Sequence, residues 1–347
     1  MRRMGAALAA LLLMTGCGQK AAESTTDEAV KAVQESPSPA AATTLATTTK
    51  LLDAMAEVDG EGPAAEYFEY GEPAWWRGFS ADASARRWLP ATAAGLGGLA
   101  QAATTLPNAT GLNPAASDRA MAIGVPPRQA FRFDGGIDPE AVRTRLTALG
   151  AKPRRLGEHD GLSFADGADI DVSRVIAPGV TNQLNQVVVT DTTAATAAVP
   201  ESLAAVLGGK PALADSSHHA ALADCLGDVA AATIMAAPAP GPVMLYGVGL
   251  RRPSAPGDQA VNVICVVPEA SAADAVDKAL TTRLTAVGTT RDGATFGTYA
   301  TRITHDRPHA NTLTTLRAVL TLSDKANVLF VQQLLYKGEL QALTAPA

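Results

Sequence analysis

Gln129-Ala-Phe-Arg-Phe-Asp134 and, displaced by 132 residues, Val261-Asn-Val-Ile-Cys-Val266 are the stretches that decide the fold. Both are short apolar runs rich in β-branched or aromatic residues, and both read as strands. The residues after each strand match as well. Glu140-Ala-Val-Arg-Thr-Arg-Leu146 and Asp274-Ala-Val-Asp-Lys-Ala-Leu280, displaced by 134, are both helical in pattern. Asp160-Gly161 with Phe164 and Asp292-Gly293 with Phe296 are again 132 apart, as are Leu184 to Val189 and Leu316 to Thr321. Four elements in one order at a nearly constant offset imply an internal repeat.

Each copy reads as strand, helix, strand, Asp-Gly turn, strand, then a further strand and helix. Asp-Gly suits a tight hairpin, whose central positions favour positive φ. Asp138-Pro139 and Ser271-Ala-Ala-Asp274 are sensible helix starts. The expected fold is α+β: two ferredoxin-like repeated halves, with antiparallel or mixed sheets and helices on one face. We place the first half at 128–240, with a helical insert, and the second at 241–347. Within and after the insert, Pro200 to Leu207 and Leu213 to Leu226 are expected helices, and Val229 to Met235 and Val243 to Leu250 expected strands. Asn327 to Leu340 reads as a closing helix.

Upstream, residues 51–127 form an aromatic-rich segment expected to dock on the body. Tyr67, Phe68, Tyr70, Trp75, Trp76, Phe79 and Trp88 are seven of the chain's fifteen aromatics. One reading is a recognition patch for a glycan, lipid or partner; the one we adopt is that they fasten this segment to a body built largely of alanine. Ala65 to Tyr70 is expected as a strand broken by Gly71-Glu72-Pro73, Ser84 to Thr105 as a helix, and Ser117 to Val125 as a short helix ended by Pro126-Pro127.

The first seventeen residues carry an address. Arg2-Arg3 precede an apolar run from Gly5 to Met14, too short to span a bilayer, and Met14-Thr-Gly-Cys17 then has the small residues a signal peptidase needs. This stretch resembles the lipobox of bacterial lipoproteins, which implies that residues 1–17 are a signal peptide ending at an acylated Cys17. Two acyl chains give stable anchoring where one is marginal. Residues 18–50 are rich in Thr, Pro and Ala and too polar to build a core. They read as a disordered tether with a root-mean-square reach of roughly 30 Å.

The net charge of −6 is uneven. Residues 18–73 hold eleven carboxylates against three lysines, and residues 74–347 balance to zero. No basic stripe is left to neutralise phosphates, which argues against nucleic-acid binding. With Cys17 acylated, Cys225 and Cys265 remain as an even pair in an exported chain, and we favour a disulfide. It would close a loop of roughly 40 residues, worth about 4 kcal/mol in the chain-entropy account.

Chemistry-bearing residues are few. Asp215 and His219 would sit one helical turn apart and could share a metal ion, but no further ligands have suitable spacing, so a capped amphipathic helix is the expected reading. His305 and His309 flank Asp306 in a stretch read as a loop, without a nucleophile motif beside them. Gly95-Leu-Gly-Gly98 lacks the Lys and Ser/Thr of a phosphate loop.

A signal ending in Cys17, a Thr/Pro tether, Tyr67-Phe-Glu-Tyr-Gly71, and Pro126-Pro127 before a strand running into Phe133-Asp-Gly-Gly-Ile-Asp-Pro139 together resemble uncharacterised actinobacterial cell-envelope lipoproteins. The resemblance implies a diacylglyceryl anchor in the membrane at Cys17 and an extracytoplasmic body, and it brings no activity or site residues. The expected function is a non-catalytic binding or scaffolding role, with an unknown envelope protein or small ligand as partner and no cofactor. The alternative is an envelope hydrolase or metal-dependent enzyme using His305 and His309, or Asp215 and His219.

Overall fold

The computed structural model describes residues 49–171, 173, 175–310 and 313–346. Cys17 and nearly all of the expected tether lie outside them. The Thr49 hydroxyl accepts from the Leu52 amide and starts helix α1 (Lys50–Met55). Helix α2 (Pro63–Glu66) runs directly into strand β1 (Tyr67–Gly71). Pro73 then opens α3 (Pro73–Phe79), as suits a residue with no N–H to lose at a helix start.

The expected helix over 84–105 is instead two 3-10 segments, Ala83–Ala93 and Gly97–Ala102. Pro90 and the glycines at 95, 97 and 98 deny it an unbroken α-helical ladder. After α4 (Leu106–Thr110), the stretch read as a short helix at 117–125 is strand β2 (Arg119–Ile123). Its alanines favour helix locally, but pairing on both sides overrides them.

The body continues with β3 (Ala130–Asp134), α5 (Pro139–Ala148), β4 (Lys152–Leu156), β5 (His159–Ser163), β6 (Gln186–Val189), β7 (Thr193–Ala197) and α6 (Pro200–Leu207). Asp138 caps α5 by accepting from the Ala141 amide. The β4–β5 hairpin pairs Leu156 with His159, so Gly157-Glu158 makes its turn and Asp160-Gly161 lies within the strand. Helix α7 (Ser217–Leu226), β8 (Val229–Ala236), β9 (Val243–Arg251), β10 (Val261–Pro268) and α8 (Ala273–Arg283) come next. In this second half Asp292-Gly293 does turn the chain, with Gly293 at φ +81°. The chain closes with α9 (Phe296–Tyr299), β11 (Ala300–Asp306), the two-residue strands β12 (His309–Ala310) and β13 (Leu313–Thr314), β14 (Leu316–Leu322), α10 (Phe330–Tyr336) and α11 (Glu339–Thr344). Gly338, in the left-handed region, separates the last two helices.

The mixed α+β composition and antiparallel pairing are as expected; the arrangement differs from two ferredoxin-like halves. Twelve strands form one antiparallel sheet in the order β11-β14-β10-β9-β8-β1-β2-β3-β7-β6-β5-β4. The stretches matched at 184–189 and 316–321 take unlike places in it, since β14 pairs with β10 whereas β6 is separated from β3 by β7. Strand β1 lies inside the sheet: it pairs with β2 on one side and β8 on the other.

Helices cover both faces rather than one. On the first face, α5 packs over β3 and β6 through Val142 and Leu146, and a separate apolar cluster gathers α3, α8, α10 and α11 over β8, β9, β10 and β14. On the second face one cluster runs across the middle of the sheet, with α1, α6 and α7 supplying Met55, Val206 and Leu222. Gly247 and Gly249 on β9 keep that surface low; a Cβ at Gly247 would come within 2.8 Å of Leu222. Cys225 of α7 and Cys265 of β10 form a disulfide across this contact, with Cα atoms 6.1 Å apart.

The aromatics of the N-terminal segment fasten it, as read. Trp76 and Trp88 are fully buried and stacked at 5.8 Å, and their indole N–H groups donate to the carbonyls of Ala230 and Pro256. Among the described residues no helix is long and apolar enough to cross a membrane.

Candidate functional site

The two apolar clusters on the first face do not meet. Between them, in mid-sheet, β1 presents Tyr67 and Glu69, because alternate residues of a strand face the same side. Phe68 and Tyr70 point to the other face, in its continuous cluster. Glu69 is 4% exposed. Its Oε2 accepts from the Tyr67 hydroxyl at 2.8 Å and its Oε1 from the Gly95 amide at 2.9 Å. Gly95 sits at φ +78°, and a Cβ there would collide with the Ala120 carbonyl at 2.3 Å. The Gly95–Gly98 stretch thus brings a backbone donor to the carboxylate.

A polar relay leads outward. Tyr67 spends its proton on Glu69, so the Tyr336 hydroxyl, 2.8 Å away, donates to Tyr67. Tyr336 in turn accepts from the Gln332 amide at 3.1 Å, which also donates to Thr233 at 2.8 Å. Glu69, Tyr67, Tyr336 and Gln332, with Gly98, Gln129 and Leu329, line an open cavity of about 390 Å³. No lysine, arginine or histidine lines it. Burial drives the Glu69 carboxyl above the usual carboxylate range, although the Tyr67 hydroxyl and the Gly95 and Gly97 amides oppose the shift. Burial, then the neighbouring carboxylate, also pushes the Tyr67 and Tyr336 phenols up.

The other face has a cleft of about 530 Å³ where β1, β2 and β3 end. Its charges are matched. Glu72, 3% exposed, accepts from Tyr70 at 2.8 Å, Arg252 at 2.5 Å and Lys50 at 3.1 Å. Arg119 spans Glu57 at 2.6 Å and Asp134 at 2.6 Å, and Arg132 binds the same two carboxylates. Burial works against the Asp134 anion, but Arg132 and Arg119 prevail and hold it below the usual range. The cations lining this cleft are thus each held by a neighbouring carboxylate.

The residues singled out in the sequence are not assembled into a site. Asp215 is exposed and caps the chain at Ala212 by accepting from its amide at 2.9 Å. His219 is buried on α7 with Nδ1 2.9 Å from the Ser216 hydroxyl, and burial lowers its imidazole to about 4. The stretch read as a loop places His305 within β11, with Nε2 3.0 Å from the Leu284 carbonyl, and His309 at the start of β12, exposed beside Thr314. Arg307 between them is held by Asp274 and Asp277 of α8, each at 2.7 Å. Among the described residues no three His, Cys, Asp or Glu side chains are placed to share a metal ion.

Sequence reasoning passed over Glu69, Tyr67, Tyr336 and Gln332. A signal was present: Tyr67-Phe-Glu-Tyr-Gly71 sets one carboxylate inside an otherwise apolar and aromatic strand. Fold and site together define an α+β protein with a single central sheet and an acid-floored cavity at its midpoint. Comparison with protein-family models, curated proteins and solved structures finds no match for the chain.

Proposed function

We propose that this chain is an extracytoplasmic lipoprotein, held to the cell membrane by a diacylglyceryl group on Cys17, with a non-catalytic binding role in the bacterial cell envelope. The observation that carries the binding role is the cavity over Glu69, whose lining brings together a carboxylate, two phenols and two side-chain amides. Support for the location comes from the Met14-Thr-Gly-Cys17 signal and from the Cys225–Cys265 disulfide, a bond that persists in oxidising compartments. The body is further read as two ferredoxin-like repeated halves, supported by the offset of 132 residues and by the strand–helix pairs β3–α5 and β10–α8.

The test is a Cys17→Ser chain expressed beside the unaltered one in an actinobacterial host. The unaltered chain is expected in the membrane fraction and to incorporate a clickable fatty acid. The variant should lose the label and appear in the soluble extracytoplasmic fraction. Equal membrane retention of both would overturn the anchor.

A further inference from the structure

Glu69 and Glu72 stand three residues apart around the end of β1, and both are almost wholly buried. The chain surrounds Glu72 with two cations of its own, Arg252 and Lys50. Among the described residues it places none around Glu69, whose partners are the Tyr67 and Tyr336 hydroxyls and the Gly95 and Gly97 amides. A buried carboxylate without a counter-charge is costly unless it takes up a proton or a cation reaches it. Here access exists, because the cavity opens to solvent between Gly98 on one wall and Gln332 and Tyr336 on the other.

We propose that this cavity binds an organic ammonium ligand, whose cationic nitrogen supplies the counter-charge missing at Glu69. The inference rests on the cavity being the binding site named above and adds the chemical class of its occupant. An anion is disfavoured, since no basic side chain lines the walls and the floor carries a carboxylate. The volume of about 390 Å³ suits a small organic molecule rather than a bare metal ion. Tyr67 and Tyr336 add aromatic rings to the walls, surfaces that attract ammonium groups. The Gln129 amide can bond polar substituents on the ligand.

The test uses the full chain in mild detergent and isothermal titration calorimetry. The probes are 4-phenylbutylamine, its matched alcohol and its matched carboxylate, with choline as a quaternary ammonium. At neutral pH the amine should bind at least about tenfold more tightly than the alcohol, and the carboxylate should not bind. Glu69→Gln, which keeps the shape and removes the charge, should cost the amine at least about tenfold in affinity and leave the alcohol little changed. Gly98→Leu should weaken amine and alcohol alike. Gly98 lies outside the left-handed region, and a Cβ there comes within 2.8 Å of the far end of the Gln129 side chain, with the Phe131 ring at an ordinary contact distance of 3.8 Å. Circular dichroism should show both variants folded.

An amine that binds no better than its alcohol, or equally well to Glu69→Gln, would overturn the ammonium assignment while leaving the cavity as a binding site. Binding that ignores Gly98→Leu, or no binding by any probe, would overturn the ammonium assignment and the cavity together.

Discussion

At the scale of the residue, Glu69 is the side chain whose surroundings disagree most with its charge. Burial raises its carboxyl, so the folded chain keeps the proton to higher pH than the unfolded chain does. Between the unfolded value, near about 4.3, and the raised folded one, the native state binds more protons. Stability contributed by this group is therefore full at low pH and lost as pH rises through the folded value. Urea denaturation of wild type and Glu69→Gln between about pH 4.5 and 8 checks it. The variant should gain on the wild type as pH rises, and parallel curves would count against the assignment. His219 titrates in the opposite sense, since burial holds it down to about 4 and its neutral form is lost on acidification. Present in both chains, it cancels in the comparison.

At the scale of the element, α7 shows how packing and a covalent bond share one contact. Leu222 and Leu226 lie over Gly247 and Gly249, while Cys225 is bonded to Cys265 of the neighbouring strand. Replacing both cysteines by alanine should cost about 2–4 kcal/mol, read as a lower denaturation midpoint with a steeper slope, because the unfolded chain without the cross-link exposes more surface. An unchanged midpoint would mean that the apolar contact suffices. Elements such as β3, α5, α6, β8, β9 and β10 were legible in the sequence because apolar period, caps and breakers agree there. Strand β2 was not, since Arg119-Ala-Met-Ala-Ile123 is as good a helix as a strand until its neighbours pair with it. The stretch from 84 to 105 hid its 3-10 geometry behind helix-favouring alanines, and only Pro90 and the glycines hinted at it. The site was less legible still. Its aromatic surroundings stood out, but the carboxylate at their centre gains its meaning from Gly95 and Tyr336, both remote in sequence.

At the scale of the whole molecule, the repeat signal leads to an expectation of two halves, whereas the structure is one sheet that depends on a strand outside both stretches. A chain beginning at Leu112 keeps eleven of the twelve strands of the sheet but lacks β1, exposing the facing edges of β2 and β8. It should show no cooperative thermal transition and should aggregate, as unpaired interior strands do. A sharp transition in that chain would mean that the halves close without β1.

The position of β1 also sets an order of events for a chain that leaves the ribosome N-terminus first. Phe68 pairs with Ile123 on one side, but its other neighbour, Ile234, emerges 166 residues after it. The earliest strand made thus waits longest for its second neighbour, and its pairing with β8 is the most distant in sequence within the sheet. Contacts so far apart slow folding, because a long loop must close before any hydrogen bond rewards the closure. Until β8 arrives, one edge of Tyr67-Phe-Glu-Tyr-Gly71 stays unpaired. A lone carboxylate in the middle of such a strand is then also a gatekeeper, keeping the waiting edge soluble and discouraging premature pairing with other chains.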